Sequence, residues 1–170
     1  MIDFSKRPPA EQQRVPIGIL RVRPRRPVKV VHLSTWFYGM MSHYVNNRTV
    51  YCPGPETCPY CDSQGALWKG HSVVREFNSD KIALLQITPH AYSFLEPAFA
   101  KRESLAGLVA VYHRKGEEKN SPLVAQTHGY VSTDRQFSFD ETAAFVKRIF
   151  KANIDHTLLV NFRDVESVSK

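Results

Sequence analysis

Residues 43–61 read HYVNNRTVYCPGPETCPYC and contain all three cysteines of the 170-residue chain, Cys52, Cys58 and Cys61. Zn²⁺ takes about four nitrogen or sulfur ligands in a tetrahedron, and two cysteines separated by two residues can reach one ion across a tight turn. His43 lies upstream of the cysteines and is the predicted fourth ligand. The spacing therefore predicts a structural zinc site, around which the rest of the chain is organised.

Other interpretations of these residues stay open at the level of sequence. Three cysteines are an odd number, so a disulfide leaves one thiol over, and the start of the chain has no apolar segment typical of a secretory signal. The thiols could also be unrelated to one another, or one could belong to a catalytic or redox site. For the fourth zinc ligand, the alternatives to His43 are His71, His32 and Asp62.

The net charge of +7 and the pI near 9.5 favour a polyanionic partner. Residues 1–29 carry eight lysines and arginines against Asp3 and Glu11, together with five prolines. We expect residues 1–27 to form a basic, proline-rich, extended arm that contacts phosphates, with a solubilising tail as the alternative. No apolar run approaches the roughly 20 residues of a membrane span, so we expect a cytoplasmic protein without membrane contact.

The remaining sequence predicts a mainly β fold with α in one domain, residues 28–151, followed by an extension at 152–170. The helices are predicted by an N-cap and proline at Thr88-Pro89 and by a capping box at Ser138–Glu141. Alternating or continuous apolar runs predict the strands. They lie at 28–33, 71–77, 81–87, 105–114 and 122–128, with a late strand at 157–162 as one interpretation of the extension.

One helix between the third and fourth of five strands is the arrangement of the OB-fold, a small barrel. With this order, and with His43, Cys52, Cys58 and Cys61 in an insertion at 39–65, the chain resembles the zinc-containing single-stranded DNA-binding proteins of phages, the T-even helix-destabilising type. The resemblance covers about residues 28–130 and implies a five-stranded OB-fold-like barrel with a C-terminal helix. It also implies single-stranded DNA as ligand and replication or recombination proteins as partners, in a bacterial or phage-infected host cell.

Such binding needs cations for phosphates and flat rings for bases. Tyr112 is a favoured ring, because it shares a strand face with Leu108, Ala110 and Arg114 while Val109 and Val111 fill the other face. The candidates are Arg21, Arg23, Arg25, Lys29, Trp36, Tyr38, Tyr44, Arg48, Tyr51, Trp68, Lys69, Arg75, Tyr112 and Arg114.

The sequence lacks the motifs of several classes of enzyme. Zinc nucleobase deaminases use H-x-E with P-C-x-x-C, and neither pattern occurs here. There is likewise no phosphate-binding glycine loop and no H-E-x-x-H. We therefore expect a binding protein and no enzyme; the alternative is a zinc-stabilised adaptor or an RNA-binding protein.

Overall fold

The computed structural model describes residues 17–150. The predicted strand at 157–162 and residues 1–16 of the predicted arm lie outside that range. Within it the chain forms eight β-strands and two α-helices. In order these are β1 (Ile19–Leu20), β2 (Val28–His32), β3 (Tyr38–Val45), β4 (Arg48–Tyr51), β5 (Leu67–Glu76), β6 (Ile82–Ile87), α1 (Pro89–Phe99), β7 (Leu108–Arg114), β8 (Leu123–Tyr130) and α2 (Phe139–Phe150).

The long strand β5 is the centre of the sheet. One of its edges pairs with β6, and the other pairs with β3 along its first half and with β2 along its second half. The ladder continues from β2 to β7 and from β7 to β8, so the strand order is β6-β5-β2-β7-β8 with antiparallel neighbours. The fold is therefore mainly β with α, as predicted.

The sheet is open between β6 and β8, since no ladder joins these two strands in the described part of the chain. The edge of β6 pairs instead with β1, in parallel, with Ile19 opposite Leu84 and Leu20 opposite Leu85. Val22 follows β1 and is buried in the core. The folded domain therefore includes part of the segment that we predicted to be an arm outside it, because apolar residues of that segment complete the sheet edge.

The helices begin where their capping residues predict. The Thr88 side chain accepts a hydrogen bond from the Ala91 N–H at 3.4 Å, and α1 continues two residues beyond Pro97 to Phe99. The Ser138 and Glu141 side chains each accept a hydrogen bond from the backbone N–H of the other residue, at 3.2 and 2.8 Å, which is the reciprocal capping box.

The first part of the predicted insertion at 39–65 is the β3–β4 hairpin. Val45 pairs with Arg48 across a two-residue turn, and Asn46 and Asn47 both have positive φ, 47° and 62°. Asparagine tolerates this left-handed conformation, which two-residue hairpin turns require. The strand predicted at 71–77 is correspondingly longer, since β5 begins at Leu67 to pair with β3.

The two faces of the sheet are covered by different elements. One face packs against α1 in a core that includes Leu85, Leu95 and Tyr112. The other packs against α2 in a second core that includes Leu84 and Val146. Neither helix has the length and apolar character needed to cross a membrane, within the residues described.

Candidate functional site

The β3–β4 hairpin and the loop after it bring four potential metal ligands together. The Nε2 atom of His43 lies 3.3 Å from the Sγ of Cys58 and 3.5 Å from the Sγ of Cys61. The Sγ atoms of Cys52 and Cys61 are also 3.5 Å apart, and all four ligand atoms lie within 4.8 Å of one another. This cluster, His43, Cys52, Cys58 and Cys61, can hold a metal ion, as the cysteine spacing predicts.

Backbone hydrogen bonds hold each part of the cluster. The Cys52 N–H donates to the Met41 carbonyl at 2.9 Å, which fixes the end of β4 beside β3. Gly54 has a φ of 118°, a conformation that favours glycine, and its carbonyl accepts from the Cys58 N–H at 2.9 Å. The turn at Gly54 therefore returns the chain so that Cys58 and Cys61 lie under His43.

The thiols strongly influence one another's ionisation. Desolvation, followed by the neighbouring Cys52 and Cys58 thiols, raises the pKa of the Cys61 thiol to about 12. Desolvation acts on Cys58 in the same direction, but backbone N–H groups of Tyr60 and Cys61 and the adjacent thiols outweigh it, so that the pKa of Cys58 is lowered. A cation bound among the three thiols would stabilise the ionised form of all of them together.

The alternative fourth ligands have other positions or partners. His71 is buried, with Nδ1 donating to the Tyr38 carbonyl at 3.2 Å and Nε2 3.1 Å from the Gln86 side-chain amide. His32 is buried between the Ser72 and Tyr112 hydroxyls, each at 2.8 Å. Asp62 is exposed and does not belong to the cluster. Geometry therefore selects His43.

Three of the predicted base-stacking rings lie in the core. Tyr38, Trp68 and Tyr112 are all buried, and the Tyr112 hydroxyl bonds to His32. The face of β7 that carries Tyr112 is therefore packed, not available for stacking, which is the reverse of the expectation. Tyr38 belongs to the core under α2, and Trp68 packs at 5.6 Å against Tyr92 of α1. These three rings are therefore not available to stack on bases.

Several other candidates have structural partners. Arg114 donates to the backbone carbonyls of Val22 and Ser121 at 3.2 and 2.9 Å, which ties the β1 segment to the β7–β8 turn. Arg75 lies near Asp80 and Asp134, at 3.7 and 4.0 Å. Trp36 is half-buried, with its ring 5.0 Å from that of Phe99. Tyr51 is half-buried beside the α2 core.

The remaining candidates lie at the surface. Arg21, Arg23 and Arg48 are exposed, and Arg25 is exposed but paired with Glu117 of the β7–β8 turn. Lys29 is half-buried, with its Nζ 4.1 Å from the centre of the Phe77 ring.

Some exposed side chains were not among the candidates predicted from the sequence. Tyr44 was among the candidates, but Arg26, Phe77 and Leu67 were not, and all three are exposed. The apolar Leu67 opens a strand, and only its pairing partners show which way it faces. Arg26 and Phe77 had a signal in the sequence, since both lie next to turn residues.

The chain was compared with family models, with curated proteins and with solved structures, and nothing in the three comparisons matches it.

Proposed function

We propose that this protein binds single-stranded DNA, largely without sequence preference, and that a structural zinc ion holds its β3–β4 hairpin. The observation that carries the proposal is the strand order β6-β5-β2-β7-β8 with α1 between β6 and β7. In an OB-fold the first strand lies between the second and the fourth, and the helix lies between the third and the fourth. The order agrees with that arrangement if β2, β5, β6, β7 and β8 are strands one to five.

The edge of β6 supports the same comparison. A closed OB-fold barrel pairs its third and fifth strands in parallel. Here the parallel partner of β6 is β1, and the Val22 carbonyl that follows β1 is bonded by Arg114 at the end of β7. The β1 segment, residues 19–23, therefore joins the β6 edge of the sheet to the end of β7.

The exposed cations favour a polyanion. Arg25 and Arg75 form ion pairs, whereas Arg21, Arg23 and Arg48 have no carboxylate partner among residues 17–150. Cations that are not neutralised by the protein itself can contact phosphates and release counterions. Their positions on the β1 segment and on the β3–β4 hairpin place positive charge on both sides of β5.

The donor set fits zinc. Zn–S bonds of about 2.3 Å and Zn–N bonds of about 2.0–2.1 Å in a tetrahedron separate the ligand atoms by about 3.5–3.8 Å. Three of the separations in the cluster, 3.3, 3.5 and 3.5 Å, are close to that range, and all four ligand atoms lie within 4.8 Å of one another. Three thiolates and one imidazole complete the coordination, so we propose a structural ion that holds the loop and has no position for a reacting water.

The function is tested by titrating the zinc-loaded protein with polythymidine of about 20 nucleotides, which exceeds the 4–16 nucleotides covered by one OB-fold. We expect saturable binding that is tighter than binding to duplex DNA, because duplex bases are already stacked. The logarithm of the association constant should fall linearly with the logarithm of salt concentration, by about 0.7 per phosphate contact. Equal affinity for duplex and single strand refutes the proposal, and tighter binding of an RNA strand of the same length changes the ligand.

A further inference from the structure

The β3–β4 hairpin has two faces with different contents. His43 points to the metal cluster, and Tyr44, the next residue on the strand, points to the opposite face. The register sets its neighbours on that face: Tyr44 pairs with Thr49, and Ser42 pairs with both Tyr51 and Leu67. Lys69 follows Leu67 on the same side of β5. We call Tyr44, Thr49, Leu67 and Lys69 the outer hairpin face.

This face carries the two most exposed large apolar side chains in the described part of the chain. Tyr44 and Leu67 are each 62% exposed, compared with 48% for Phe77, the next in rank. Ser42 lies between Tyr44 and Leu67 on this face and is buried. An exposed aromatic ring beside an aliphatic side chain, on a rigid strand, is suited to contact another flat apolar group.

The strands beside the outer hairpin face carry no carboxylate near it. β3 and β4 contain no aspartate or glutamate, and β5 has Glu76 only at its far end. Lys69 forms no ion pair with a described carboxylate. Arg48 pairs with Val45 and therefore lies on the opposite face of the hairpin. Burial, and then the positive charge of Arg114, lowers the pKa of Lys69. Two like charges held near each other in this way are stabilised by an anion.

We propose that the outer hairpin face is a platform on which an unpaired nucleic-acid base stacks, with Tyr44 as the stacking ring and Lys69 contacting a flanking phosphate. The proposal rests on the proposed function and adds the location of the base contact. The metal site acts from the other side of the same strand, because ligation of His43 fixes the backbone that carries Tyr44. Metal binding and base stacking are therefore coupled through one hairpin.

The combination of groups selects this occupant. A second copy of the chain would bring another net charge of +7 to a surface that carries Lys69, and an apolar protein segment would leave Lys69 without an anionic partner. A single strand supplies both a flat ring and phosphates, since successive bases stack on aromatic side chains while cations follow the backbone.

The platform is tested with Tyr44→Ala, Tyr44→Trp and the matched control Phe94→Ala. Phe94 is 43% exposed on α1, away from β3 and β4. We expect Tyr44→Ala to weaken polythymidine binding by about 5- to 150-fold, the effect of losing one stacked base, with the salt dependence nearly unchanged. Tyr44→Trp should retain the affinity for polythymidine, because tryptophan also offers a flat ring. Phe94→Ala should bind polythymidine as the wild type does. Zinc content should be the same in all four proteins.

A second measurement reports on the coupling. Bound polythymidine should slow the release of zinc to a chelator in the wild type, because coupling between two binding sites is reciprocal. The same saturating oligonucleotide should give less protection in Tyr44→Ala. If the wild type binds single strands and Tyr44→Ala binds them equally well, the platform is refuted and the proposed function stands. If the wild type binds no single strand, both are refuted.

Discussion

Acidification from about pH 7.5 to about pH 5 should destabilise the protein through two buried histidines. Burial lowers the pKa of His32 to about 3. Burial also lowers the pKa of His71 to about 4; the hydrogen bond to the Tyr38 carbonyl raises that pKa, and the charge of Lys69 lowers it further. Both are near 6.5 in the unfolded chain. Below pH 6.5 the unfolded state therefore binds more protons than the folded state, so stability is fully present above that pH and is lost as the pH falls.

The magnitude follows from the size of these shifts. Each histidine loses about 1.4 kcal/mol per pH unit between 6.5 and its folded pKa. At about pH 5 this is roughly 2 kcal/mol for each, or roughly 4 kcal/mol for both, which is a large part of the 5–15 kcal/mol typical of a domain. The hydrogen bonds of His71 also require its neutral form, because Nδ1 donates to the Tyr38 carbonyl while Nε2 accepts from the Gln86 amide nitrogen.

The assay is urea unfolding at the two pH values, with zinc held in excess. Acid also protonates the metal ligands, so the wild type alone does not isolate the histidines. His71→Gln removes one titrating group and leaves the metal cluster intact, so the metal contribution cancels when the two proteins are compared. We expect the wild type to lose roughly 2 kcal/mol more than His71→Gln between the two pH values. Equal losses would refute the assignment of a buried, neutral His71.

Three further predictions concern the metal, the core and the charged surface. Cys58→Ser and Cys61→Ser should lose the zinc. If free zinc is at about 1,000 times the Kd of the site, the loss of stability should be about 4 kcal/mol. Metal analysis should also show that His43→Ala loses more zinc than His71→Ala, and zinc-free wild-type protein would contradict the site. Tyr112→Phe should cost about 1–3 kcal/mol in urea unfolding, since it leaves Nε2 of buried His32 without its partner, whereas the exposed control Tyr44→Phe should cost nothing measurable. Arg23→Gln with Arg26→Gln should make the salt dependence of polythymidine binding shallower by about 1.4, if each contacts one phosphate; an unchanged slope would place the phosphates elsewhere.

Short-range patterns in the sequence predicted the three cysteines of the metal cluster and the helix starts. The cysteines lie within one turn-rich stretch, which favours a common site, whereas the structure was needed to select His43 as the fourth ligand. The side chains of Thr88 and Ser138 each accept a hydrogen bond from a backbone N–H three residues later, so each cap is formed within one short stretch of the chain. The Asn46-Asn47 pair also carried a hairpin signal of this local kind, because both residues tolerate positive φ.

The tertiary structure decided which strand faces are buried and which distant segments meet. Alternation along β7 shows that Tyr112 and Val111 face opposite sides of the sheet, but it cannot say which side α1 covers. Both sides are apolar, because α2 covers part of the face opposite α1. His32 bonds to residues 40 and 80 positions away, and the pairing of β1 with β6 joins equally remote segments. Such contacts depend on the complementarity of two surfaces that no single stretch of sequence contains.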